Sequence, residues 1–174
     1  QRFVATTGSP GIYVAPIPWR YLARNPKASL RGGQSRAGDY QNIHQISKPH
    51  PWRFKREKDP GFFNYYKSRY GKSESIASGY FTSACSPLVY RDDALPGLQG
   101  SYFVCEPSTN VVHRAIIKQE GTFLKLERPE SESKREFRAS SDVWFHPISL
   151  AHDPSGAIVI VDFYREIIED YSAI

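Results

Sequence analysis

The sequence predicts an all-β fold built from antiparallel sheets, and three observations support this prediction. Tyrosine and phenylalanine are abundant, with 11 and 10 residues, and stretches with helical periodicity are scarce. Residues 153–156, Asp-Pro-Ser-Gly, form a turn in which Pro154 restricts φ and Gly156 tolerates a positive φ. The apolar residues 157–161 that follow are rich in β-branched side chains, which predicts a strand buried on both faces.

Shorter strand patterns precede this turn. Near the N-terminus, residues 2–5 and 12–14 flank a Gly-Ser-Pro-Gly turn. Further along, residues 115–119 and 122–126 predict a β-hairpin around a central Glu-Gly pair. Helix is therefore expected only as short turns, at residues 20–24 and 164–169.

The length, composition and net charge of the chain predict one globular domain, residues 1–174, with a mildly basic surface. The net charge of +5 suits an acidic protein, anionic lipid or nucleic acid as partner, although a soluble basic surface alone would also explain it. No apolar run reaches the length of about 18 residues that a transmembrane helix needs. The chain lacks a secretory leader pattern and methionine, and it starts at Gln1, so we expect a processed or internal piece of a longer product.

Residues 27–75 are predicted to form a long irregular insertion in which basic and aromatic side chains are interleaved. This pattern suits single-stranded nucleic acid, through base stacking and phosphate contacts. It also suits docking on a protein, because Tyr, Trp and Arg dominate interface hot spots. The residues predicted to bind a partner are Trp52, Arg53, Lys55, Arg56, Tyr65, Tyr66 and Arg69.

The two cysteines, Cys85 and Cys105, lie in neighbouring strand-like segments. If these segments pair antiparallel, the side chains face each other and can form a disulfide. Such a bond stabilises by about 3 kcal/mol in the chain-entropy model and implies an oxidising compartment. We predict this disulfide; the alternative is two buried free thiols. No CxxC or haem-attachment motif is present, and no histidine pair has metal-binding spacing, so no metal site is predicted.

Several segments resemble a known family. They are residues 21–26 (YLARNP), 79–91 (GYFTSACSPLVYR), 101–114 (SYFVCEPSTNVVHR), 144–148 (WFHPI), 153–157 (DPSGA) and 161–165 (VDFYR). The chain resembles the β-propeller of bacterial PVC-type membrane-bound dehydrogenases, which are related to glucose and sorbosone dehydrogenases that use pyrroloquinoline quinone (PQQ). The resemblance leaves out residues 27–75 and 127–138.

The resemblance implies antiparallel, blade-like sheets of a partial or shortened β-propeller. A blade of four strands takes about 40–45 residues, so a chain of this length makes at most about four blades and cannot close a ring around a quinone. The chain also departs from the family pattern. His146 stands where the family has Arg, Ser155 where it has Asp, and Asp170 where it has His.

The resemblance also marks polar residues near strand ends, which can line the central tunnel of a propeller. The candidate catalytic residues are His113, His146 and Arg165, with a histidine as base because its unperturbed pKa lies near neutral pH. The candidate cofactor-binding residues are Arg114, Asp162, Tyr164 and Arg165, since an arginine can hold a quinone carboxylate through paired hydrogen bonds. The alternative is that Asp162 and Arg165 pair with each other and cap the edges of blades.

Two functional hypotheses follow. The first is a non-catalytic structural or docking subunit of a larger periplasmic electron-transfer assembly, with protein partners that include a cytochrome c and no nucleic acid. The alternative is a fragment of a PQQ-type sugar or alcohol dehydrogenase that passes electrons to a cytochrome c. We favour the first, because the chain is too short to close a propeller ring. In addition, His146 and Ser155, which lie near the candidate site, depart from the family pattern. No cofactor is expected within the chain itself; PQQ or haem would belong to the assembly or to the parent protein.

Overall fold

A computed structural model shows that the protein is built mainly from antiparallel strands, in agreement with the predicted all-β class. The structure describes residues 2–5, 12–15, 24, 35–36, 58–70, 83–121 and 123–166. Within these residues the strands form three sheets. The finer prediction, that the sheets are blades of a propeller, stays a prediction.

The largest sheet contains five strands in the C-terminal part of the chain. Its strands are β4 (Cys85–Val89), β5 (Ser101–Glu106), β6 (Val111–Glu120), β7 (Phe123–Glu127) and β8 (Arg138–Ala139). The first four pair in sequence order, and β8 pairs with the start of β6 on the edge opposite β5. The β6–β7 connection confirms the hairpin that the sequence predicts.

The two smaller sheets come from opposite ends of the described chain. Near the N-terminus, β1 (Arg2–Ala5) pairs with β2 (Ile12–Ala15), which pairs with β3 (Ser35–Arg36). Near the C-terminus, β9 (Pro147–His152) and β10 (Ile158–Asp162) form a hairpin around the predicted Asp-Pro-Ser-Gly turn.

Strand β5 is the centre of the core, because every one of its residues is buried. Successive side chains of a strand point to opposite faces, so Tyr102 and Val104 pack on one face of the sheet and Phe103 and Cys105 on the other. The hairpin β9–β10 covers the second face, where Leu150 joins the same cluster as Phe103.

Strand β10 corrects one sequence prediction. The continuous apolar run predicts burial on both faces, but Val159 and Val161 are exposed while Ile158 and Ile160 pack against the core. Since β10 lies over the large sheet through one face only, its other face is left to solvent. The strand buried on both faces is β5 instead.

Tyr90 ties the turn between β9 and β10 to the large sheet. Its buried hydroxyl donates a 2.6 Å hydrogen bond to the carbonyl oxygen of Gly156 and accepts one from the backbone N–H of Leu95 at 3.1 Å. Gly156 has φ +85°, and a Cβ at this position would lie 2.3 Å from the Cβ of Ala94. Only glycine allows this close approach of turn and loop.

One helix, α1 (Pro60–Tyr70), lies inside the insertion that the sequence predicts to be irregular. The carboxylate of Asp59 accepts hydrogen bonds from the backbone N–H groups of Gly61 and Phe62, at 2.8 and 3.2 Å, as N-cap residues do. The prediction of irregular structure was therefore wrong for this segment. Among the described residues, no helix combines the length and apolar character needed to span a bilayer.

Candidate functional site

His146, a predicted catalytic residue, is buried just before β9 and is held on several sides. Its Nδ1 atom lies 2.9 Å from the carbonyl oxygen of Pro107, to which it donates, and its backbone N–H donates to Asp162 Oδ1 at 2.8 Å. The side chain of Asn110 lies beside the ring and donates to the carbonyl oxygen of Phe145. These bonds give His146 a structural role, because they join the start of β9 to the turn between β5 and β6.

Asp162, a predicted cofactor-binding residue, organises the end of β10. The same Oδ1 atom that accepts from His146 also accepts from the backbone N–H of Tyr164 at 2.9 Å. This second bond supports a left-handed backbone at Tyr164, with φ 35°, a conformation that L side chains adopt at a cost of about 1–3 kcal/mol. The carboxylate therefore fixes the backbone here.

Tyr164 is exposed and its hydroxyl is hydrogen-bonded to Asp142. That bond raises the pKa of the Tyr164 phenol above its usual value, because it favours the protonated form. The Tyr164 ring also contacts the indole of Trp144, with ring centroids 5.7 Å apart. Two carboxylates and one indole thus hold a strained tyrosine at the surface.

His113, the other predicted catalytic histidine, belongs to a buried ionic network. Its Nδ1 atom lies 2.8 Å from Glu136 Oε2, and Arg128 Nη2 donates to Glu136 Oε1 at 2.7 Å. Burial by itself raises the pKa of the Glu136 carboxyl, but the bonds to His113 and Arg128 outweigh it and hold this pKa below its usual value. We call these three residues the buried ionic network.

Arg114, predicted to hold a cofactor, is directed to protein groups instead. Its guanidinium donates to Ser101 Oγ at 3.1 Å, to Glu132 Oε1 at 3.2 Å and to the carbonyl oxygen of Gly97 at 2.7 Å. Arg114, on β6, thus links the loop between β7 and β8 to the large sheet through Glu132. Arg128 closes the same loop on itself, since it donates to the carbonyl oxygen of Arg135 at 2.7 Å.

Arg165 is the predicted catalytic residue that the structure leaves at the surface. Its guanidinium lies 5.1 Å from the centre of the Phe163 ring, in the range of a cation–π contact. The predicted site is therefore divided: His113 and His146 are buried in structural contacts, whereas Tyr164 and Arg165 face solvent.

A surface that the sequence analysis missed surrounds these exposed residues. It consists of Trp144, Val159, Val161, Phe163 and Tyr164, which we call the hairpin surface, and each is exposed to between 42% and 58%. Val159 and Val161 share one face of β10, and Phe163 follows a register shift after Val161. No alternation of apolar and polar residues marks β10 as a strand covered on one face only, because the residues on both of its faces are apolar.

Cys85 and Cys105 lie opposite each other on paired strands, as predicted, but no disulfide joins them. Cys85 and Cys105 are register partners in β4 and β5, and the described structure contains both as free thiols. The predicted disulfide is therefore absent from the structure, whereas the antiparallel pairing on which the prediction depends is confirmed.

The predicted partner-binding residues are only partly within the described residues. Trp52, Arg53, Lys55 and Arg56 lie outside them, while Tyr65, Tyr66 and Arg69 belong to helix α1. On the same helix Phe62 and Phe63 are exposed, and Lys67 Nζ lies 5.3 Å from the centre of the Phe63 ring. The helix thus places aromatic and basic residues at the surface.

Comparison with known protein families gives one match. A domain of unknown function, DUF7133, matches residues 1–174. The chain belongs to the DUF7133 family. Comparisons with curated proteins and with solved structures give no match.

Proposed function

We propose that this DUF7133 domain is a non-catalytic docking domain of a larger assembly, which it contacts through the hairpin surface. One observation carries the proposal: five large apolar or aromatic residues are exposed around β10, next to the position where catalytic histidines were expected. The histidines themselves are buried and bonded, which leaves no exposed imidazole from His113 or His146 to act as a base.

The hairpin surface has the properties of an interface centre. Trp and Tyr are the residues that most often dominate binding energy, and contiguous exposed apolar groups commonly mark interaction sites. The backbone beneath the surface is held by Asp162 through its bonds to His146 and Tyr164. A surface fixed in this way loses little conformational entropy when a partner binds.

The charge distribution favours a partner with an acidic rim around an apolar centre. The whole chain carries +5, which accelerates association with a negatively charged protein. Beside the apolar residues, the exposed guanidinium of Arg165 lies over Phe163 and can pair with a carboxylate on the partner. The basic and aromatic helix α1 supplies a second candidate contact.

The nature of the assembly is inferred from the resemblance to dehydrogenase propellers. We place the domain in a periplasmic electron-transfer complex, with a cytochrome c among its protein partners. PQQ or haem in this proposal is bound by another subunit or by another part of a longer chain.

The test compares two aspartate substitutions at exposed apolar positions. Val161→Asp changes the hairpin surface, and the control Ile116→Asp changes a similarly exposed residue of β6. Each full-length chain carries an affinity tag, is produced in its native organism and is purified under native conditions. Particle mass and the absorbance spectrum are then measured.

The wild-type chain is expected in a particle much larger than itself, with haem or quinone absorbance. The Ile116→Asp chain should remain in that particle, and the Val161→Asp chain should elute alone while keeping the circular dichroism of a folded β protein. With the purified partner, Val161→Asp should weaken binding at least about tenfold. A wild-type chain that elutes as a monomer, or equal behaviour of the two variants, contradicts the proposal.

A second candidate function, a fragment of a PQQ-type dehydrogenase, is favoured by one observation. Tyr164 combines a strained backbone with exposure, next to the exposed Arg165, and strained residues cluster at functional sites. Titration of the purified chain with PQQ distinguishes the two candidates. Saturable binding that Arg165→Ala weakens at least about tenfold supports the dehydrogenase fragment, and unchanged quinone absorbance supports the docking domain.

A further inference from the structure

The cysteine pair has a geometry that the docking proposal does not use. Cys85 and Cys105 are opposite each other in β4 and β5. Register partners of an antiparallel pair have Cβ atoms about 4.5–5.5 Å apart on one face, Cys85 packs against the buried cluster that contains Cys105, and the Cys85 thiol donates to the carbonyl oxygen of Ile148 at 3.3 Å. The two sulfur atoms are therefore already neighbours in the thiol state.

We propose that Cys85 and Cys105 form a reversible thiol–disulfide site in which Cys85 is the attacking thiol and Cys105 the resolving thiol. The different exposure of the two side chains determines which thiol attacks first. Cys85 is partly exposed on β4, whereas Cys105 is fully buried on the central strand β5. A disulfide in solution can therefore reach Cys85 before it reaches Cys105.

The electrostatics of the pair support the same order. The hydrogen bond from Cys105 lowers the pKa of the Cys85 thiol below its usual value, whereas the same bond and burial raise the pKa of Cys105. The thiolate is the nucleophile in disulfide exchange. Cys85 thus has the larger thiolate fraction as well as the better access.

The reaction needs a disulfide oxidant, either a small one such as oxidised glutathione or the disulfide of a thiol oxidoreductase. The Cys85 thiolate attacks one sulfur of the oxidant, which releases one thiolate and leaves a mixed disulfide on Cys85. Cys105 then loses its proton, attacks the Cys85 sulfur and releases the second thiolate. The protein loses two electrons and two protons, and the oxidant is reduced to two thiols.

Oxidation would also change how β9 is held. The new bond links β4 covalently to β5, and Cys85 no longer has the S–H group that donates to Ile148. Because the cross-link restricts the unfolded chain, we expect the oxidised protein to melt roughly 6–12 °C above the reduced protein.

The experiment treats the reduced full-length chain with oxidised glutathione, stops the reaction with acid at intervals and measures intact mass after alkylation. Wild-type protein should finish with a loss of two hydrogens and one internal cross-link between the peptides that contain Cys85 and Cys105. Cys105→Ser should stop at a stable glutathione adduct on Cys85. In Cys85→Ser the adduct on Cys105 should form at least about tenfold more slowly, because the thiol is buried.

Two results would overturn the proposal. If Cys105 in the Cys85→Ser chain reacts as fast as Cys85 in the Cys105→Ser chain, the order of attack is wrong. If oxidised wild-type protein carries only glutathione adducts or intermolecular dimers, the two residues do not form the site. The second result uses the unsubstituted chain, so it does not depend on whether a variant folds.

Discussion

The buried ionic network and the hairpin surface differ in how they use residues that suggest function. In the network, a histidine, a glutamate and an arginine that would be typical of an active site are buried against one another. At the hairpin surface, side chains that would be typical of a core are exposed. Residue type alone is therefore a poor guide to function in this domain. The charged groups stabilise the fold, and the apolar groups are available for binding.

The physical reason lies in the cost of burying charge. An isolated buried carboxylate is strongly unfavourable, so it persists only with partners that satisfy it. Glu136 has two such partners in His113 and Arg128, and loss of one member removes part of this compensation. The hairpin surface has no comparable constraint, because its side chains contact solvent on one side.

The largest expected effect comes from breaking the buried ionic network. Glu136→Gln keeps the shape of the side chain but removes its charge, so the partly buried Arg128 loses the carboxylate that its Nη2 atom contacts at 2.7 Å. We expect a loss of about 3 kcal/mol in the free energy of unfolding, measured by urea denaturation. The control Glu130→Gln lies in the same loop at an exposed position and should change stability by less than about 0.5 kcal/mol. Equal effects of the two substitutions would show that the network contributes nothing.

The same network predicts a dependence on acid. The folded-state pKa of Glu136 lies below its usual value of 4.5, so its contribution is fully present above about pH 4.5 and is lost as pH falls through the folded-state pKa. The difference in stability between wild type and Glu136→Gln should therefore stay constant well above pH 4.5 and shrink as the pH falls below about 4.5. Urea midpoints at several pH values measure this difference, and a constant difference would contradict the role of the carboxylate.

The next largest loss of stability is expected at Gly156, where the β9–β10 turn contacts the loop that contains Ala94. Gly156 and Gly100 have similar positive φ values, +85° and +77°, but only at Gly156 would a Cβ collide with a neighbour, Ala94. Alanine should cost about 1 kcal/mol at Gly100, from the backbone alone. At Gly156 it should cost roughly 2–4 kcal/mol, because the clash is added. Thermal unfolding measures both, and equal losses would mean that the turn can move away from the loop.

The smallest change in stability is expected at Val161, and it tests whether this residue of the hairpin surface contributes to the core. Val161→Thr replaces a methyl group by a hydroxyl at an exposed position of β10 and should change stability by less than about 0.5 kcal/mol. The same substitution at the buried Val112 of β6 should cost about 1–3 kcal/mol, since a hydroxyl loses its hydration there. A large loss at Val161, measured by urea denaturation, would indicate that this side chain is part of the core.

The features that can be predicted from the sequence are local. The Asp-Pro-Ser-Gly turn, the hairpin on either side of it and the β6–β7 hairpin depend on turn chemistry and on neighbouring strand patterns, so short segments contain all the information needed. The pairing of Cys85 with Cys105 was also predictable, because one loop separates their strands. The helix at residues 60–70 was missed because its aromatic residues have low helix propensity.

Which faces are buried and which polar groups are hydrogen-bonded depends on contacts between distant parts of the chain. The apolar run of β10 fits one covered face as well as two, and the choice depends on what the rest of the chain places over it. Likewise, Arg114 is bonded to Gly97 and Glu132, and His146 to Pro107 and Asp162. These contacts join residues that are distant in sequence, and no local pattern records such partners. Burial and long-range hydrogen bonding therefore separate the residues that stabilise this DUF7133 domain from those that remain free to bind.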